Sequence, residues 1–134
     1  RCNLPTLADD SGLEVDFLDG RPGVYSKRFG KSDAERMENV LSELDGIDMA
    51  HRHARFVTVA CVYNPANQEL ILTEGVVAGQ IALEPAGDAG FGYDPIFIPH
   101  EGDGRTFAEL GETFKNRISH RADAFRKFVA GCFA

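Results

Sequence analysis

Apolar and polar residues alternate in the opening stretch. Leu7 and Ala8 lead in, then Leu13, Val15 and Phe17 interleave with Glu14 and Asp16, the period-two pattern of a half-buried strand. Gly12 interrupts the alternation and is expected to mark a bulge or bend. Asp19-Gly20-Arg21-Pro22-Gly23 reads as the turn that ends this strand. Ser32-Asp33-Ala34-Glu35 has the form of a capping box, and Met37, Val40, Leu41 and Leu44 then recur at helical spacing until Gly46. Phe56 to Tyr63 is a nearly continuous apolar run, which predicts a central strand buried on both faces. After a turn at Asn64-Pro65-Ala66-Asn67, Glu69 to Val77 and Gln80 to Leu83 read as two further, antiparallel strands. A Gly-, Ala- and Asp-rich loop over Glu84 to Asp94 precedes a short strand at Ile96-Phe97-Ile98. His100 to Arg105 is a polar loop, and Thr106 with Glu109 forms a second capping box on a short helix that stops near Gly111. Ser119 is placed to cap a last helix with Ala122, Phe125, Val129 and Phe133 inward.

Strands, a long helix, strands and then helices predict an α/β or α+β arrangement around one mixed sheet. At 134 residues the chain reads as one domain, 1–134, with a composition (43% hydrophobic, 26% charged) ordinary for a soluble globular protein. A net charge of −7 argues against a partner such as polymeric nucleic acid, which needs a basic face, but leaves single nucleotides open. No apolar run reaches membrane length, so no membrane partner is expected. Cys2, Cys61 and Cys132 are widely spaced, without a pairing pattern, and read as reduced thiols of a cytoplasmic protein.

Three clusters carry candidate chemistry. Asp9 and Asp10 are adjacent carboxylates beside the expected kink, which would let both reach one cleft, where they suit a hard divalent cation or a shared proton. The plain alternative is an Asx-turn. Gly90-Phe91-Gly92-Tyr93-Asp94-Pro95 offers close backbone approach at its glycines and two aromatic plates on which a base could stack, with Asp94 held extended by Pro95. The alternative is a structural turn with two core aromatics. Lys115-Asn116-Arg117-Ile118-Ser119-His120-Arg121 puts two cations in the first turn of a helix, against the macrodipole, which hints at a ligand. The alternative is a solvated basic patch. His51-Arg52-His53 reads as surface residues rather than metal ligands, and His100, Glu101 and Asp103 as a solvated loop. Ser11 lacks a nucleophile-elbow context.

Taken in order, Ala8-Asp9-Asp10-Ser11-Gly12-Leu13-Glu14-Val15, Arg21-Pro22-Gly23-Val24-Tyr25-Ser26, Phe91-Gly92-Tyr93-Asp94-Pro95-Ile96-Phe97 and Lys115-Asn116-Arg117-Ile118-Ser119-His120-Arg121-Ala122 resemble the inosine triphosphate pyrophosphatases, enzymes that clear non-canonical purine nucleotides. The resemblance implies a two-lobed α/β fold on a mixed sheet, a homodimer, and Mg²⁺-dependent hydrolysis of dITP, ITP or XTP to the monophosphate and pyrophosphate. It implies that Asp10 is proton acceptor and metal ligand and that Asp9 is its metal-binding neighbour. Ser11, Phe91, Gly92, Tyr93, Asp94, Lys115, His120 and Arg121 match substrate contacts. The family's opening strand, its Ser/Thr-Gly-Asn-x-x-Lys phosphate loop and the following helix with a metal-binding Glu do not occur in these residues. The chain is therefore expected to be the family's C-terminal major part. Two other readings are a nucleotide-binding fragment without catalysis, and a dimeric aspartic protease built on Asp10-Ser11-Gly12.

Overall fold

The computed structural model describes residues 6–118. Strand β1 (Thr6–Val15) runs antiparallel to β2 (His53–Asn64), one residue against one from Thr6 opposite Tyr63 to Val15 opposite Ala54. The bulge or bend expected at Gly12 is absent. Gly12 stays in the ladder opposite Val57, and its missing side chain is used sideways, because a Cβ there would press onto the Gly23 carbonyl. That carbonyl belongs to a 3-10 segment, Gly23–Arg28, which lies against β1.

The turn at residues 65–68 joins β2 to β3 (Glu69–Ile81), with Asn67 Oδ1 accepting from the Glu69 N–H at 3.0 Å and Gln68 at positive φ. The two strands expected over this region are one. Gly79 does not turn the chain but lies between Ala54 and Pro99, where a side chain would strike the Ile98 carbonyl and the Phe97 ring. β4 (Phe97–Pro99) completes the order β1-β2-β3-β4. All three pairings are antiparallel, so the parallel member of a mixed sheet is not among the described strands.

β2 is internal to the sheet but not buried on both faces. Ala54, Phe56 and Thr58 face the core with Leu13, Val15 and Val77, whereas Val59 and Tyr63 on the other face are exposed, as are Leu70 and Leu72 across the hairpin. A strand's period of two separates the faces, and among the described residues only one is covered. Over the covered face Phe97 packs tilted against Phe56, 4.6 Å between ring centroids, and stacks on Phe107 at 5.3 Å.

Helix α1 (Asp33–Glu43) begins at the expected Ser32 cap, whose hydroxyl accepts from the Glu35 N–H at 3.1 Å, one half of the expected box, with two carboxylates in the first turn. Val40 and Leu44 are fully buried in the core, with Met37 and Leu41 packed at its margin. Thr106 and Glu109 make both halves of the expected box on α2 (Phe107–Leu110). After Gly111 the chain enters α3 (Glu112–Ile118), which the pattern did not mark because only Phe114 and Ile118 supply an apolar repeat. The expected last helix lies outside the described residues.

Candidate functional site

A cavity of about 410 Å³ opens between β1, the Gly23–Arg28 segment, the start of α1 and the loop before β4. Ser26 holds three of these together. Its hydroxyl accepts from the Leu13 N–H at 2.8 Å and donates to the Gly23 carbonyl at 2.6 Å, while its own carbonyl accepts from the Tyr93 hydroxyl at 2.6 Å. On the floor, the Ser11 hydroxyl lies 2.8 Å from that of fully buried Thr58.

The two expected aromatic plates differ. Phe91 is 65% exposed and presents its ring at the cavity. Tyr93 is 6% exposed and tied down through its hydroxyl, so it forms wall rather than a free plate. Burial pushes the Tyr93 phenol up to about 12; the Arg36 charge opposes this and the Asp33 charge adds to it.

Asp94 is not extended before Pro95 but opens a 3-10 turn, Asp94–Ile96, because the fixed φ of proline suits a helical first turn. One oxygen of its carboxylate accepts from the Phe91 N–H at 3.0 Å and from Lys115 Nζ at 2.6 Å. The Asp94 side chain is buried at 4% exposure, and that of Lys115 is partly buried at 12%. The Lys115 ammonium also sits 4.1 Å from the Phe91 ring centroid, a cation–π contact. Aromatic ring, cation and carboxylate thus converge on one wall, brought together by α3.

Asp9 and Asp10 occupy backbone positions opposite Ala60 and Val59, immediately before Ser11 and Gly12 at the cavity. The uninterrupted register removes the kink invoked to bring both carboxylates to one side. Two adjacent carboxylates remain a hard-oxygen donor set of the kind Mg²⁺ takes. Among the described residues no cluster of three or more His, Cys, Asp or Glu side chains forms a metal site. Ser119, His120 and Arg121 lie outside the described residues.

Lys27, Asp33 and Arg36 also line the cavity and were not singled out in the sequence. The available signal was Lys27, a cation directly after the Arg21–Ser26 motif in a chain of net charge −7. His51 and His53 are on the surface as expected, His51 against Asp48 at 2.6 Å and His53 edge-on to His100 at 5.8 Å. Arg52 between them is not. It is 3% exposed and donates to the carbonyls of Leu44, Ile47, Ile81 and Ala82 at 2.9–3.0 Å, tying the end of α1 to the end of β3. Among the described residues no helix is long and apolar enough to cross a membrane.

Comparison with known proteins places these features in context. A model of the Ham1 family matches residues 1–131. The dITP/XTP pyrophosphatase of Bacillus subtilis (strain 168) is 52% identical over 128 residues, covering 93% of this chain and 64% of the relative. That of Synechocystis sp. is 45% identical over 127 residues, covering 95% and 64%. Among solved structures, the Staphylococcus aureus Ham1 protein superposes with a TM-score of 0.90 at 40% identity, covering 97% of this chain and 67% of that one. A HAM1 protein from Coxiella burnetii gives 0.88 at 43% identity, covering 97% and 68%. The chain spans just under two thirds of the length of the curated relatives it matches.

Proposed function

The chain belongs to the Ham1 family, and from that premise we propose that it serves the hydrolysis of non-canonical purine nucleoside triphosphates, dITP, XTP and ITP, to the monophosphate and pyrophosphate. The observation that carries the reading is the cavity wall made by Phe91, Asp94 and Lys115. Relatives of similar sequence bear the name dITP/XTP pyrophosphatase.

The exposed Phe91 ring stacks the purine. Lys115 is donor-only and Asp94 acceptor-only. A 6-oxopurine offers the matching edge, an O6 acceptor beside an N1–H donor, whereas adenine reverses both and sets its amino donor against the ammonium and its N1 acceptor against the carboxylate. Guanine shares the 6-oxo edge, so its exclusion must use its 2-amino group. Ser11, Gly92 and Tyr93 complete the pocket, and His120 and Arg121 add donors to the substrate. Lys27 supplies positive charge at the cavity where the phosphates must pass.

In the chemical step Asp10 accepts a proton from water as its oxygen attacks the α-phosphorus, and the bond from that phosphorus to the bridging oxygen breaks to release pyrophosphate. On an unbroken strand adjacent carboxylates leave opposite faces, so Asp10 rather than the Asp9–Asp10 pair is the residue that would hold Mg²⁺, which when bound would neutralise phosphate charge and polarise the α-phosphoryl group. The reading includes a homodimer, tested by sedimentation, and a cytoplasmic location, tested by fractionation.

The decisive assay is pyrophosphate release from dITP, XTP, dGTP and dATP, with Mg²⁺ and with chelator. In the complete enzyme Asp10→Asn, an isosteric change, is expected to lower kcat about a hundredfold or more. Near-normal turnover of that variant at saturating Mg²⁺ overturns the role of Asp10. Binding of dITP without pyrophosphate release replaces hydrolysis by binding alone.

A further inference from the structure

The loop that presents Phe91 is held from outside by α1. The Gly92 N–H donates to Asp33 Oδ2 at 3.0 Å, across 59 residues of sequence. The other oxygen of Asp33 accepts from Arg36 Nη1 at 2.8 Å, and Arg36 Nε donates to the Lys27 carbonyl at 2.8 Å. On the far side of Phe91, its own N–H donates to Asp94, which also receives Lys115. A continuous path of hydrogen bonds therefore runs from the Lys27 backbone through Arg36 and Asp33 to Gly92, and from Phe91 through Asp94 to Lys115, around the mouth of the cavity.

We propose that Asp33 is a positioning residue which, with Arg36, clasps the Phe91–Gly92 loop to the Lys27 segment and so sets the stacking ring for a purine base. The part about the base rests on the pyrophosphatase reading above. Helix capping does not account for this geometry. Ser32 is the residue whose side chain caps α1, and the Asp33 carboxylate reaches another segment altogether. A negative charge in the first turn would favour the helix wherever the carboxylate pointed. The loop needs outside support because it has no regular ladder of its own and turns through Gly90 and Gly92 at φ of 77° and 62°. The Asp33 side chain is half exposed, so water competes with the clasp and its removal loosens the loop without unfolding the core.

Two measurements on the full chain test this. The first is amide hydrogen exchange at Gly92 by NMR, which needs no substrate. Asp33→Ala is expected to speed it roughly tenfold or more, while Asp33→Asn, which keeps an acceptor oxygen, stays near wild type. The second is steady-state kinetics with dITP. Asp33→Ala is expected to raise KM about five- to tenfold with kcat changed less than about twofold, and Asp33→Asn and Arg36→Gln to fall between it and wild type. Arg36→Gln also serves where Asp33→Ala weakens α1. Unchanged Gly92 exchange in Asp33→Ala overturns the clasp. Faster exchange with unchanged KM overturns its link to the base, since a purely structural role lowers thermal stability without moving KM. A wild-type protein that neither binds nor hydrolyses dITP overturns the pyrophosphatase reading and the link to the base, and Gly92 exchange still decides the clasp.

Discussion

Replacing Asp94 with alanine strikes the buried ion pair at the cavity wall. It strands the Lys115 ammonium, 12% exposed, without its carboxylate 2.6 Å away, and it leaves the Phe91 N–H without an acceptor. Breaking a buried pair by removing one partner costs about 3–5 kcal/mol, and an unmet N–H adds about 1 kcal/mol. The Phe91 ring 4.1 Å from the ammonium remains and offsets about 1 kcal/mol. Lys115 also lies near the cavity opening, where it can rehydrate, so the lower end of the range applies and the net cost is about 3 kcal/mol. With an unfolding entropy of roughly 0.28 kcal/mol/K for 134 residues, Tm falls by about 10 °C. The chain has no tryptophan, so urea unfolding is best followed by far-UV circular dichroism. Lys115→Met alone is also destabilising, but the Asp94→Leu/Lys115→Met double variant buries no charge and is expected to recover much of the loss. A cost below about 1 kcal/mol for Asp94→Ala, or a coupling below about 0.5 kcal/mol between the two positions, refutes the reasoning.

Arg52→Lys is expected to cost about 2–4 kcal/mol, nearly as much as Arg52→Ala, because one ammonium cannot serve four carbonyls spread around a planar guanidinium; a urea midpoint close to wild type for the lysine variant would contradict this. Tyr93, raised from 10 to about 12, binds a proton in the folded chain at a pH where the unfolded chain has lost it. Its contribution is therefore fully present below pH 10 and lost as the pH rises through 12, at up to about 1.4 kcal/mol per pH unit. Urea midpoints compared between wild type and Tyr93→Phe over pH 9–12 should show that extra slope in the wild type only; parallel curves would discount it. Tyr93→Phe also loses the bond to the Ser26 carbonyl, for a cost of about 1 kcal/mol at neutral pH.

Much of the outline was legible in the chain itself, and the reason is range. The Ser32 cap with its helix face, the Thr106–Glu109 box, the turn at residues 65–68 and the alternation of β1 are each set by residues within a few positions of one another. Four short motifs in order pointed to the family and to the Phe91–Asp94 and Lys115 clusters, because a ligand site imposes its own residue types locally. The misreadings share a second cause. Gly12 looked like a break in β1, and the two strands expected at Glu69 to Val77 and Gln80 to Leu83 left Gly79 in the gap between them, since a glycine shows only that a side chain is missing and not which distant atom occupies the space. The apolar run of β2 promised burial on both faces, but a strand cannot report whether anything covers its second face.

Local elements and the residue types available for chemistry can thus be read along the chain. Tertiary structure alone decided which of those residues meet. It turned Arg52 from an apparent surface residue into a four-carbonyl tie and set Lys115 against Asp94 across 21 residues. It also drew Asp33 to Gly92 across 59. Such contacts depend on how helices and loops pack over the sheet, and a polar side chain carries the same local signature whether its partner is water or a carboxylate from the far end of the chain.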